Sequence, residues 1–149
     1  MEIKISFPGG KRVNAQVGPF VIETDQPPEL GGSGMAPAPY ELFLASIGTC
    51  AGIYVLGFCH ARGIATDGLA LIQRNDIDPA TKMLRAVRLE VRLPPEFPEK
   101  YRIAIVKAAE GCKVKKTVAA APAVEVVLSD DGGNLRLEHH KEVAACVDE

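Results

Sequence analysis

Two cysteines in this chain stand in settings that suit thiol chemistry, Cys50 and Cys112. Cys50 lies in the stretch ELFLASIGTCAG, residues 41–52, crowded by Ala45, Ser46, Gly48, Thr49, Ala51 and Gly52. Three and four residues away along a helix are Ser46, Ile47, Ile53 and Tyr54, so the thiol falls on an apolar stripe. The small residues predict that another backbone comes close, and a second helix carrying Cys112 is the natural neighbour. Two thiols brought together from two helices can cycle between dithiol and disulfide. Lys113, Lys115 and Lys116 adjoin Cys112, which could open a short helix, and both features favour its thiolate. Cys50 sits mid-helix and needs a partner from elsewhere, a cation being the obvious one. The structural alternative is a core filler, because free cysteine is among the most buried residue types.

The elements that must position these thiols read as follows. Met1, Ile3, Ile5 and Phe7 alternate with polar residues, as a half-buried strand does. PGGK turns the chain, Val13, Ala15 and Val17 mark a return strand, and FVIET reads as a third, so residues 1–24 form an antiparallel meander. Residues 25–38 are a Gly/Pro loop, long enough to suggest a purpose. A central helix is predicted over 39–62, with Pro39 at its first position, Glu41 in its first turn and Gly63 ending it. A β-hairpin is expected over 68–93, turning at DIDPAT (76–81). The region 97–120 reads as a second helix with Tyr101, Ile105, Ala108 and Cys112 on its apolar face, and Gly111 can interrupt it. A second hairpin is expected over 123–140, with a tail at 141–149. The order gives an α+β class in a single domain, residues 1–149.

Bulk properties bound the function. The chain has 149 residues, 24% charged, with a formal net charge of −2, which points away from nucleic-acid binding. The N-terminus lacks the apolar core of a signal peptide, and the apolar run 42–59 is interrupted by Ser46, Gly48, Thr49, Gly52 and Gly57. The expectation is a cytoplasmic protein without a membrane role, where thiols stay reduced. The four cysteines contain no CxxC pair.

Three stretches carry a family resemblance. PPELGGSG (27–34) resembles the Gly-rich loop of the OsmC/Ohr family of thiol-dependent peroxidases. APYELFLASIGTC (38–50) is similar to its P-x-E-L-x-x-A-x-x-x-C helix, and CKVKKTV (112–118) to its second motif, usually C-P-V-x-x-T-L. The three in order, over roughly residues 1–130, are more specific than any one alone. The resemblance implies an OsmC-like fold with antiparallel sheets and two central helices, assembled as an intertwined homodimer with its active sites at the subunit interface. It implies that Cys50 is the peroxidatic cysteine, attacking a hydroperoxide, and that Cys112 resolves the sulfenic acid as a disulfide. A small dithiol or a lipoylated protein would then act as reductant, with no cofactor and no metal.

The departures from the pattern matter as much. Active members use an arginine after a Gly-Gly pair to hold the thiolate. Here the stretch is GGKR, so Lys11 takes that place and Arg12 follows, either of them able to act from the partner subunit. Active members also place a glutamate ten residues before the first cysteine, where this chain has Tyr40, with Glu41 at nine. Nine residues at ~100° each put Glu41 on the face opposite Cys50, while ten put Tyr40 within about 80° of it. Glu41 is then better explained as a partner of the helix dipole. Lys113 stands where proline is usual. This pattern is nearer to the OsmC-like branches than to the organic-hydroperoxide enzymes.

Two functional classes follow. One is a hydroperoxide reductase in oxidative-stress defence, with Cys50 and Cys112 reacting and Lys11, Arg12, Glu41 and Tyr40 as candidate helpers. The other is a non-catalytic dimer that senses redox state or binds a small ligand. Cys59, His60, His139, His140 and Cys146 match no zinc-ligand spacing, and Cys59 reads as a core or helix-end residue. GGSG lacks the lysine of a phosphate loop and reads as a flexible cover over the thiol.

Overall fold

The computed structural model describes residues 1–129 and 135–136. The sequence alternates strand and turn first. β1 (Ile3–Gly9), β2 (Arg12–Val17) and β3 (Phe20–Ile22) form an antiparallel sheet in that order. Gly9 and Gly10, with φ of 110° and 64°, supply the left-handed turn that other residues enter at a cost. Ile3, Ile5, Phe7 and Phe20 of this sheet are all exposed, whereas Val13, Ala15 and Val17 of β2 are half-buried.

The loop that follows is tightly organised around one side chain. Asp25, 1% exposed, accepts hydrogen bonds from the backbone N–H groups of Gln26 (2.8 Å), Ser33 (3.0 Å) and Met35 (3.3 Å) and from the Ser33 hydroxyl (2.5 Å). These donors hold its carboxyl down at about 2, the Ser33 hydroxyl most of all, against the opposing pull of burial. A short 3-10 turn, Pro28–Leu30, sits inside the ring so formed. Gly32 comes so near the Gln26 carbonyl that a Cβ there would lie 1.8 Å from its oxygen. The expected flexible cover is therefore a closed, hydrogen-bonded loop. It is joined to β2 by Val13 N–H donating to the Thr24 carbonyl (3.2 Å), and the Thr24 hydroxyl returns a bond to the Val13 carbonyl.

α1 (Pro39–His60) begins with proline at its first position. It ends in a Schellman turn, with Ile64 N–H donating to the Cys59 carbonyl (3.0 Å), Gly63 N–H to that of His60 (3.2 Å), and Gly63 at φ 63°. The helix is long and apolar enough to cross a bilayer by length and composition, but its Ile47, Ala51, Val55 and Cys59 stripe is buried as a core helix's would be. The strands β4 (Ala70–Ile77) and β5 (Leu84–Arg92) pair antiparallel beneath it. β4 runs past the expected turn because Asp76 and Ile77 still find partners in Ala86 and Leu84. Asp78 makes the turn instead, its carboxylate accepting from Ala80 N–H (2.8 Å) and Thr81 N–H (2.9 Å). After a 3-10 turn at Glu99–Tyr101 come α2 (Arg102–Glu110) and α3 (Lys113–Ala120). Ile105, Ala109 and Cys112 join the α1 stripe and Phe97 in the core.

Contacts divide the chain into Met1–Ala119 and a second unit from Ala120 onward. In the second unit, β6 (Leu128–Ser129) pairs antiparallel with β7 (Leu135–Arg136). The first arm of the hairpin expected over 123–140 is thus regular only at Leu128–Ser129. Val124 and Val126 are 88% and 92% exposed, and valine favours a strand only where a neighbour is present to pack on. The expected tail over 141–149, and His139 and His140 at the end of the expected hairpin, lie outside the described residues.

Candidate active site at the α1–α3 crossing

The backbone over residues 110–114 is what brings the two thiols together, so it is best built from its glycine outward. Gly111 breaks the second helical pattern after Glu110 and lies against Tyr54, a Cβ there meeting the Tyr54 ring at 3.3 Å. Cys112 follows as the residue before α3, its carbonyl accepting from Lys116 N–H (3.2 Å), the first turn of that helix. Its thiol is 1% exposed and points toward α1, where the Ile47 carbonyl stands 3.9 Å away, and Lys115 N–H donates to its sulfur at 3.5 Å. Ile47 and Tyr54 lie one turn before and one turn after Cys50. The corner thus crosses α1 at Cys50.

The crossing shifts the two thiols in opposite directions. Cys50 is half-buried, and its pKa is lowered, first by the N–H of Val114, then by the Cys112 thiol, with Lys113 adding a further N–H and its charge. Cys112 is raised above the ordinary thiol value, chiefly by burial, and its hydrogen bond toward Cys50 raises it further. This reverses the expectation that the lysine run and the helix start would ionise Cys112. The start of α3 does favour thiolate, but its first amides and Lys113 serve the sulfur facing them, while burial governs Cys112. The Cys112 thiol is directed at the Ile47 carbonyl.

The small residues of α1 do not all serve this crossing. A Cβ at Gly48 would meet Gln73 Oε1 at 2.6 Å, and Gln73 donates from Nε2 to the Leu44 carbonyl (2.9 Å), tying α1 to β4. Gly52 and Gly57 face open space among the described residues. Sequence reading also placed Cys50 on the apolar stripe. It lies at the edge, with Ala51 and Val55 buried and Ile53 66% exposed. The Cys112 neighbours Ile47 and Lys115 also line a cleft of about 240 Å³, together with Val87, Leu89, Val91, Val106, Ala109 and Glu110, which neither thiol lines.

The remaining candidates lie elsewhere. Lys11 stands in the β1–β2 turn with its side chain toward Gly31, 3.6 Å from where a Cβ there would be. Arg12 donates to the carbonyls of Gly9 (3.4 Å) and Pro8 (3.3 Å). Neither is among the groups that shift Cys50 within the chain. Tyr40 stacks on Phe43 at 5.9 Å between ring centroids and is 44% exposed. The Glu41 carboxylate accepts from Ala38 N–H at 2.8 Å, which occupies it at the start of α1. Cys59 is fully buried and its pKa is raised by that burial. Asp25 and Gln73 were missed by sequence reasoning. A lone Asp before PP and a Gln inside a strand carry no periodic signal.

Comparison with known proteins agrees with this architecture. A search of curated proteins finds no match. Among solved structures, a Psychrobacter arcticus protein described as osmotic stress induced and of the detoxification response superposes with TM-score 0.66 at 20% identity, covering 77% of this chain and 85% of its own. An OsmC-like protein of Mycoplasma pneumoniae gives 0.62 at 16% identity, over 79% and 86%. An organic hydroperoxide resistance protein of Vibrio cholerae, with captopril bound in one of its active sites, gives 0.55 at 21%, over 79% and 84%. At these identities the likeness is one of fold, an α+β arrangement of antiparallel sheets and helices. Residues 31–127, which include α1, both site cysteines and the strands between them, match the family described as OsmC-like protein, and the chain belongs to that family.

Proposed function

We propose that this protein is a thiol-dependent hydroperoxide reductase in which Cys50 reacts and Cys112 resolves. The observation that carries the reading is the pair of thiols at one crossing with opposite tendencies, Cys50 lowered and Cys112 raised. A peroxidatic cysteine must be thiolate to attack, and a resolving cysteine serves best by holding its proton until the sulfenic acid forms. The Cys50 thiolate attacks the O–O bond of ROOH. The sulfur takes one oxygen as Cys50–SOH, and the alkoxide leaves as ROH after taking a proton. The Cys112 sulfur then displaces hydroxide from Cys50, which leaves as water with the Cys112 proton, and the S–S bond forms. An external dithiol, of the lipoyl type or smaller, reduces that bond by two exchanges and leaves as its own disulfide. The apolar cleft bounded by Ile47 and Val106 favours an organic over an inorganic peroxide.

The reading includes a homodimer. The exposed apolar residues Ile3, Ile5 and Phe7 on β1 and Ile53 and Leu56 on α1 support it, since a second copy would remove both sets from water. A cytoplasmic setting fits two reduced thiols. One experiment tests the chemistry. The reduced protein is mixed with an equivalent of cumene hydroperoxide, and thiol loss and mass are followed. Rapid loss of two thiols, absent in Cys50→Ser, supports the reading; Cys112→Ser should instead hold a sulfenic acid that dimedone traps. Thiols that survive prolonged exposure overturn it.

The second reading, a redox-sensing or ligand-binding dimer, draws on a specific observation. Arg12 is engaged by its own turn and Glu41 by the start of α1, so the usual helpers are occupied elsewhere. Slow, stoichiometric oxidation without turnover on added dithiol would favour it.

A further inference from the structure

The corner that carries Cys112 is stiff and meets α1 at two points. Within it, Gly111 N–H donates to the Ala108 carbonyl (3.0 Å), Cys112 N–H to that of Ala109 (3.3 Å) and Lys116 N–H to that of Cys112 (3.2 Å), so residues 111 and 112 move together. One meeting point is the Cys112 thiol, 3.9 Å from the Ile47 carbonyl. The other is the Tyr54 ring, which lies where a Gly111 side chain would go. A Cβ at Gly111 would stand 3.3 and 3.4 Å from the ring's Cδ1 and Cε1. Gly111 has an ordinary helical φ of −67°, so no backbone angle calls for glycine here; its missing side chain is what lets the ring in. Ile47 and Tyr54 lie about 10 Å apart along α1, with Cys50 between them. The ring is 40% exposed and stands outside the buried core cluster to which Cys112 belongs, so it braces the edge of that cluster and does not fill its centre.

We propose that Tyr54 is a positioning residue for the second thiol: its ring stops the Gly111–Cys112 corner at the place along α1 from which Cys112 closes on Cys50. The proposal rests on the peroxidase reading for what that closure achieves. The ring does the work, and the phenol oxygen takes no part. Without the ring, the stiff corner keeps only the long thiol contact with Ile47 and can tilt about it. A disulfide closes through a narrow range of sulfur positions, so a small tilt is felt strongly there.

The test compares wild type, Tyr54→Ala and Tyr54→Phe as full-length proteins, by two measurements. The first is the Cys50–Cys112 disulfide at equilibrium with glutathione, in which the two protein thiols are oxidised and one oxidised glutathione becomes two reduced ones. The second is iodoacetamide alkylation of each cysteine in the reduced protein, read on its peptide by mass spectrometry. In Tyr54→Ala the equilibrium constant for the disulfide should fall about tenfold and alkylation of Cys112 should speed up about tenfold, through local opening of the corner. Cys59, buried in the same core, should keep its protection, and Tyr54→Phe should match wild type throughout. Either shift, with Cys59 unmoved, supports the proposal. It is overturned if neither quantity moves in Tyr54→Ala, if Tyr54→Phe loses as much, or if Cys59 is exposed as far as Cys112, which is a general loosening. If Tyr54→Ala loses its helical circular dichroism, Tyr54→Leu, apolar but without a ring, is read in the same way. A wild-type protein that forms no such disulfide sinks the resolving role of Cys112, and alkylation of Cys112 then decides for Tyr54 alone.

Discussion

Asp25 and Cys50 are both shifted toward the anion by backbone N–H groups, yet one is enclosed by its own loop and the other stands half-buried at a helix crossing. Asp25 is buried, and its donors Gln26, Ser33 and Met35 all come from its own loop. Closing the loop and saturating the carboxylate are one event, so the charge is locked. Cys50 is half-buried, and its donors come from another helix, together with a thiol that can give up its proton. The same electrostatics therefore yields a closed staple where the acceptor is enclosed by its own chain, and a thiol biased toward thiolate where it is left partly open at a helix crossing.

That comparison can be broken at several points. The largest effect should come from Gly32→Ala, because its Cβ would meet the Gln26 carbonyl carbon and oxygen and the backbone must move. The expected cost is about 3 kcal/mol, read from urea unfolding, with new proteolytic cuts within 25–38. An unchanged midpoint would show that the loop is not closed as described.

Acid should separate the two regions next. The folded Asp25 carboxyl sits at about 2, below its unfolded value, so its stabilisation is complete above about pH 4 to 5 and is lost as pH falls toward 2. In wild type the urea midpoint should fall across that window, and in Asp25→Asn this contribution to the slope should vanish. Glu90, held at about 2 by Arg92 and Arg74, would add a smaller share, because its side chain is 40% exposed and the pair is screened. The difference between the two proteins isolates Asp25. Identical slopes would sink the idea.

The two thiols should also differ from each other. At neutral pH and in the native protein, iodoacetamide should modify Cys50 about tenfold or more faster than Cys112, as follows from thiolate character and access. Equal rates would remove the basis for assigning separate roles. The smallest effect belongs to Gly111→Ala, whose Cβ would sit 3.1 Å from the Ala108 carbonyl and 3.3 Å from Tyr54. The gain in helix propensity offsets part of the strain, for a net cost under about 1 kcal/mol. Disulfide formation after peroxide should slow more than stability falls, because the change shifts Cys112 against Cys50; a proportional loss of both would argue against that coupling.

Much of the fold was legible because its signals are local. Pro39 and Gly63 bracket α1, and Gly111 marks the break before α3, because each acts through its own backbone angles or missing groups. The hairpin β4–β5 was legible from alternation, but its turn shifted to Asp78 since pairing continued as long as partners remained. The site was half legible. Cys50 and Cys112 could be named as neighbours from helix faces and motif order, but which one is shifted toward thiolate could not. Of the lysines beside Cys112 in sequence, Lys113 lowers Cys50 by its charge, while Lys115 gives its N–H to the Cys112 sulfur.

The amino-acid sequence by itself determined the order of elements, the two thiols and the helix start that follows Cys112, because these depend on spacing and on single residues. Only the tertiary structure decided that Asp25 closes its loop, that Glu41 is engaged at the start of α1, and that the corner before α3 crosses α1 at Cys50 while Cys112 is buried. Those outcomes depend on which surfaces exclude water and which donors arrive from distant segments, and neither is encoded in neighbouring residues.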